Sequence, residues 1–112
     1  MNTMALVLVF IGNVTLTSYR SVHSQTDSSP WITSIGERVT IRGCAISQDL
    51  LQSGKIKYGD LLYIEGYGYR FANDTMNVRL KNSIDLWVTT KQEEVKIGNR
   101  KARIWVVKRP QI

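Results

Sequence analysis

Leu61-Leu62-Tyr63-Ile64-Glu65-Gly66-Tyr67-Gly68-Tyr69-Arg70-Phe71-Ala72 carries the clearest fold signal in this chain. A short apolar run, Leu61 to Ile64, stops at Glu65-Gly66. Across the Gly66-Tyr67-Gly68 turn, Tyr67, Tyr69 and Phe71 share one face of an alternating strand, with Gly68, Arg70 and Ala72 on the other. The same two-residue period recurs on both sides. Val39-Thr40-Ile41 lies between Arg38 and Arg42, and Ala45-Ile46 follows. Ile84, Leu86 and Val88 alternate with Asp85, Trp87 and Thr89, and Ala102 to Val107 forms a last apolar strand around Trp105. Residues 21–37, polar around Pro30, read as a loop. The longest helical candidate is Thr90 to Val95, where Thr90 can cap and Glu93 stands three residues on. Many short strands with glycine turns and little helix predict an all-β fold, a compact barrel.

With 112 residues the chain has room for one core. Its single cysteine, Cys44, excludes an intrachain disulfide and a Cys-rich metal knuckle, and reads as a small buried hydrophobe. Its single histidine, His23, excludes a two-His zinc site and argues against a Ser-His-Asp triad. No phosphate-binding G-x-x-x-x-G-K-[S/T] loop is present.

The net charge is +6, and it is unevenly placed. From residue 91 onward seven basic residues (Lys91, Lys96, Arg100, Lys101, Arg103, Lys108 and Arg109) face only Glu93 and Glu94. Such a segment either attracts a polyanion or is a solvated face that keeps a small domain soluble. At the other end, Met4 to Ile11 is a run of eight apolar residues. That is far short of the ~20 a membrane-spanning helix needs. It suits either an export signal, with no basic residue before it, or a first buried strand. Residues 1–12 are therefore set apart from a single domain over 13–112.

The five aspartates differ in setting. Asp27 lies in a polar loop, Asp60 in a turn after Gly59, Asp49 in a turn or helix cap, and Asp74 at a strand end. Asp85 lies inside the most strand-like run, opposite Ile84, Leu86 and Val88. Aspartate is depleted there, so its face is either solvated or a polar site. Trp87 shares that face and offers a ring on which a sugar can stack.

These strings, taken in order, resemble the three-aspartate domain shared by membrane-bound lytic transglycosylase A and small muralytic proteins of bacteria and phages. Leu16-Thr17-Ser18-Tyr19 resembles the opening strand of that family, and Gln25 to Ser34 its Q-T-D-x-x-P-x-x-T loop. Ala45-Ile46-Ser47-Gln48-Asp49 is similar to its A-V-x-x-D element. Tyr58 to Gly68 resembles its G-T-x-L-Y-I-x-G-Y-G signature. Asn73-Asp74-Thr75 and Ile84-Asp85-Leu86-Trp87 look like its second and third aspartate elements. The resemblance implies a six-stranded double-psi β-barrel with one or two short helices and the aspartates at one groove. It implies cleavage of the β-1,4 bond between N-acetylmuramic acid and N-acetylglucosamine, with Asp85 as the catalytic acid and Asp74 and Asp49 supporting it. Thr17, Tyr19, Thr33, Gly68 and Trp87 would contact the glycan. It implies no cofactor and no metal. The partner would be peptidoglycan and not nucleic acid, and the protein a monomer without a membrane span. Its place would be the cell envelope, secreted or periplasmic, or release from a phage at lysis. One departure stands out: the family's glycine-rich stretch after its second aspartate is replaced by Met76-Asn77-Val78-Arg79-Leu80-Lys81-Asn82. Asn77 and Asn82 can stand in for glycine, since Asn tolerates left-handed backbone.

The chemistry needs a proton for the leaving oxygen and stabilisation of an oxocarbenium-like centre. A free aspartate, with a pKa of ~3.9, is a poor acid at neutral pH, and a carboxylate within ~4–6 Å raises one member of a pair. Clustering of Asp74 and Asp49 around Asp85 would serve that end. Two other readings stay open. One is a wall-binding barrel whose activity went with the glycines. The other is a basic barrel for single-stranded nucleic acid, with Tyr67, Tyr69 and Phe71 beside Arg70.

Overall fold

The computed structural model describes residues 6–20 and 43–108. The expected loop over 21–37, with His23, Asp27, Trp31 and the site candidate Thr33, lies outside these residues, as does the expected strand Val39-Thr40-Ile41. Six strands and two short helices follow one another as β1 (Val7–Tyr19), β2 (Gly43–Ile46), α1 (Gln48–Gln52), β3 (Leu61–Ile64), β4 (Gly68–Thr75), β5 (Ser83–Trp87), α2 (Lys91–Ile97) and β6 (Arg100–Lys108). The strands close into a barrel in the order β1-β5-β2-β4-β3-β6, so the all-β six-stranded barrel expected from the sequence is the fold. Two neighbouring pairs, β1/β5 and β2/β4, are parallel and the other four antiparallel. Val7 to Ile11 of the N-terminal apolar run belong to β1, the long strand that pairs with both β5 and β6.

The alternation of each strand fills the interior. Leu16, Ile46, Leu62, Ile64, Ile84, Leu86, Ile104 and Val106 point inward and are fully buried. Eight such side chains contribute on the order of 10–20 kcal/mol of transfer free energy, most of it offset by chain ordering. Cys44 is buried among them, and burial pushes its thiol up to about 12, against a smaller opposing effect of Arg70. α2 starts where the sequence places its cap: Thr90 Oγ1 accepts from Glu93 N at 3.1 Å, and the Glu93 carboxylate accepts from the Thr90 hydroxyl at 3.1 Å. The helix runs two residues past Val95, to Ile97, because Ile97 is buried against the barrel. The basic C-terminal segment is largely the outer face of β6, with Ala102, Ile104 and Val106 inward and Arg100, Lys101, Arg103 and Lys108 in solvent.

Two irregularities break the period of two. Along β2/β4, Cys44 pairs with Ala72 but Ala45 pairs with Asp74, so Asn73 is an extra residue without a counterpart. Along β1/β6, Phe10 pairs with Trp105 and Gly12 with Ile104, leaving Ile11 extra. A bulge of this kind re-aims the side chains beyond it. Asp74 has the parity of the buried Ala72, and Phe10 that of the buried Val14. Without the bulges both would point into the core. Each bulge uses a glycine. Gly12 takes a φ of +146°, and Gly43 leaves the space that Asn73 fills: a Cβ on Gly43 would lie 2.6 Å from the Asn73 amide. Gly43→Ala is therefore expected to destabilise the protein by about 1–3 kcal/mol through overpacking. Asn73→Ala in the same chain should restore most of that loss, read as the thermal midpoint of single and double variants.

Candidate active site

Thr17 of β1, Asp85 of β5, Ala45 of β2 and Asp74 of β4 form one lateral row across four neighbouring strands. Strand spacing puts the Asp74 and Asp85 backbones roughly 10 Å apart. The residue between them is an alanine, and its small side chain leaves a groove of about 250 Å³. Tyr19, Asp74 and Asp85 line it with polar groups, and Thr75, Met76, Asn77 and Leu80, from the segment that follows Asp74, complete the lining.

Asp85 is held at the groove wall by the Thr17 hydroxyl, which donates to Oδ1 at 2.7 Å. Its carboxyl is pushed up to about 6. Burial is the main cause, opposed by the Thr17 hydrogen bond and assisted by the charges of Asp74 and Glu94. From the sequence, neighbouring carboxylates are the expected cause of such a rise. The barrel makes desolvation the principal one, because Ala45 separates the two aspartates. The Tyr19 phenol is also pushed above its usual range, by burial first and then by Asp74 and Asp85, so it stays a neutral donor. Asp74 Oδ1 accepts from Thr75 N at 2.8 Å, and the Thr75 hydroxyl is bonded to that of Tyr58.

Asp49, expected in the same cluster, does not line the groove. It stands in the first turn of α1, and its carboxylate accepts from Asn82 N at 3.0 and 3.2 Å. Desolvation is the largest single effect on it and pushes up, but hydrogen bonds from Ser47, Asn82 and its own helix turn outweigh it and leave Asp49 below its ordinary value. Its work is at a distance. Asn82 has a φ of +47°, and its side chain donates to Asn13 O at 2.9 Å while its own carbonyl accepts from Thr15 N at 3.0 Å. Asp49 thus pins the left-handed residue that leads into β5 and Asp85. Asn82 takes the left-handed backbone the sequence suggests for it, whereas Asn77 does not.

Of the other contacts expected, Tyr19 lines the groove, while Thr17 does not line it and meets it only through its bond to Asp85. Trp87 pairs with Tyr19, half-buried and two residues beyond Asp85 on the same face, but does not line it. Gly68 opens β4, six residues before Asp74 and so roughly 20 Å along the strand, and is not part of this site. Glu94, by contrast, was not singled out in the sequence. It reaches the site because α2 docks on the end of β1, where Ser18 Oγ donates to Glu94 O at 3.5 Å and Arg20 pairs with its carboxylate at 3.5 Å. Nothing local in the sequence signals that approach. Among the described residues no three His, Cys, Asp or Glu side chains gather as a cation site would require, and no helix is long and apolar enough to cross a membrane. No protein-family model and no curated protein matches this chain.

The raised carboxyl has a stability consequence. An aspartate with a folded pKa of about 6 binds its proton more tightly folded than unfolded, so its contribution is greatest below about pH 4. It declines as pH rises to about 6 and is absent above. At pH 7 the ionised Asp85 is a cost, and Asp85→Asn is expected to stabilise the fold by on the order of 1–3 kcal/mol there, but not at pH 4. Thr17→Val removes the hydrogen bond that favours the charged form. It should move the Asp85 titration upward, as followed by carboxyl carbon NMR.

Proposed function

We propose that this barrel is a peptidoglycan-cleaving glycosidase of the lytic transglycosylase type, acting in the cell envelope on the bond between N-acetylmuramic acid and N-acetylglucosamine. The observation that carries the reading is Asp85: a desolvated carboxyl, fixed by Thr17, at a groove of about 250 Å³ that it shares with Asp74 and Tyr19. At a pH near 6 about half of the molecules hold a proton there, which matches an acid to its working range. The order of strings shared with the three-aspartate domain supports the choice of substrate.

One carboxyl can serve both halves of the reaction. Protonated Asp85 gives its proton to the glycosidic oxygen as the bond to the muramic C1 breaks. The muramic 6-hydroxyl then bonds to C1, and its proton returns to the Asp85 carboxylate. The products are a 1,6-anhydro sugar and a free 4-hydroxyl, and no water is consumed. Asp74, across Ala45, brings a second acidic side chain to the same groove, where positive charge at C1 would be favoured. Tyr19 stays neutral and can donate to a sugar oxygen.

Digestion of purified peptidoglycan, with mass spectrometry of the soluble products, tests this. Wild type should release 1,6-anhydro muropeptides, fastest below about pH 6 and slower as Asp85 ionises. Asp85→Asn should lose at least about a hundredfold of the rate, the scale of general acid catalysis. Reducing-end products in place of anhydro ones would mean that water is the acceptor. Ala45→Leu should abolish release by filling the groove while both aspartates remain.

Met76, Asn77 and Leu80 line the groove where the three-aspartate resemblance implies glycines, which favours a second reading, a barrel that holds the wall polymer without cutting it. No release by wild type, with sedimentation onto the polymer retained, would establish that reading.

A further inference from the structure

The groove occupies the β1-β5-β2-β4 side of the barrel. The opposite side, β1-β6-β3-β4, carries a row of aromatic rings that the chemistry above does not use. Phe10 pairs with Trp105, Trp105 with Tyr63, and Tyr63 with Tyr69, one ring from each of four neighbouring strands. Successive ring centroids are 5.5, 5.7 and 5.1 Å apart. Phe10 and Tyr69, at the two ends, are each 53% exposed, and Phe71 beside the row is also in solvent. Phe10 belongs to the row only because the β1 bulge turns it outward. Exposed apolar rings gathered on one wall mark a binding surface.

We propose that this row is a second glycan-binding platform, which holds a peptidoglycan strand on the wall opposite the cleaving groove. It rests on the wall-polymer reading above for the choice of glycan. Successive rings are inclined to one another by 57°, 49° and 58°. Sugars pack their C–H faces on such rings, and the Tyr63 and Tyr69 hydroxyls add polar tips. Charge complementarity points the same way. Arg103 lies 5.6 Å from the Trp105 ring centroid, and Lys101 and Lys108 flank it along β6, while Glu65 at this edge is bonded to Arg103. A net cationic rim suits a polymer whose peptide stems carry carboxylates. It disfavours a second copy, whose two-fold contact would bring the same cations together. Because the two sites lie on opposite walls, one strand of the mesh can be held while another occupies the groove.

The test is sedimentation with purified peptidoglycan sacculi, comparing Asp85→Asn with Asp85→Asn carrying Phe10→Ala and Tyr69→Ala. The Asp85→Asn background keeps the polymer intact. Binding should fall about tenfold with the thermal midpoint kept within a few degrees. If the triple variant does not fold, Asp85→Asn with Tyr69→Ala alone should still weaken binding severalfold. Unchanged binding would overturn the platform and leave the groove reading untouched. A wild-type dimer in light scattering that these substitutions split would overturn it in favour of a second copy. Tighter capture of oligothymidine than of sacculi, lost in the same variants, would overturn it in favour of nucleic acid. Ring-dependent binding by a wild type that releases no product would uphold the platform and defeat the cleavage reading.

Discussion

Asn73 occupies a place in β4 that has no counterpart on β2, and the groove depends on that single extra residue. Asp74 has the parity of a core position. Pairing without the bulge would bury its carboxylate in the barrel, where an unpaired charge is prohibitive. With the bulge, Asp74 faces Asp85 across Ala45. Gly43 makes the bulge possible because any side chain there would meet Asn73. The same device at Ile11 turns Phe10 to the opposite wall. Local breaks in pairing thus place one residue of each surface on a barrel that is otherwise regular.

The second constraint is desolvation. Asp85 is surrounded by strands on both sides, and burial outweighs the hydrogen bond from Thr17 that favours its charge. The fold tolerates this because the carboxyl still meets the groove. The free energy that ionised Asp85 costs is what makes it an acid near neutrality, so stability and the proposed activity oppose each other at one residue.

Much of the architecture was legible in the chain. The alternation at Ile84, Leu86 and Val88 and at Ala102 to Val107 reports which face is buried, since a strand presents successive side chains to opposite sides. The cap at Thr90 and the left-handed Asn82 were legible for the same reason: each is a local backbone requirement with few residue types that meet it. Asp85 stood out because an aspartate inside a strand needs a special environment. The parity of Asp74 was not legible, because the rule of two gives the wrong face wherever a bulge intervenes. Nor was the part played by Asp49, whose carboxylate meets an amide thirty-three residues away.

The sequence by itself determined the all-β character, the buried and exposed faces of its strands, the basic outer face of β6 and the aspartates worth attention. These follow from periodicity and composition, which are properties of short segments. Only the tertiary structure decided which aspartates meet. Asp85 and Asp74 share a groove because β2 lies between β5 and β4, Asp49 is left to brace a loop, and Glu94 joins through the docking of α2. Strand order around a closed barrel joins residues distant in the chain, and no local pattern encodes that order. The same closure sets four aromatic rings side by side on the far wall, although they come from four separate strands.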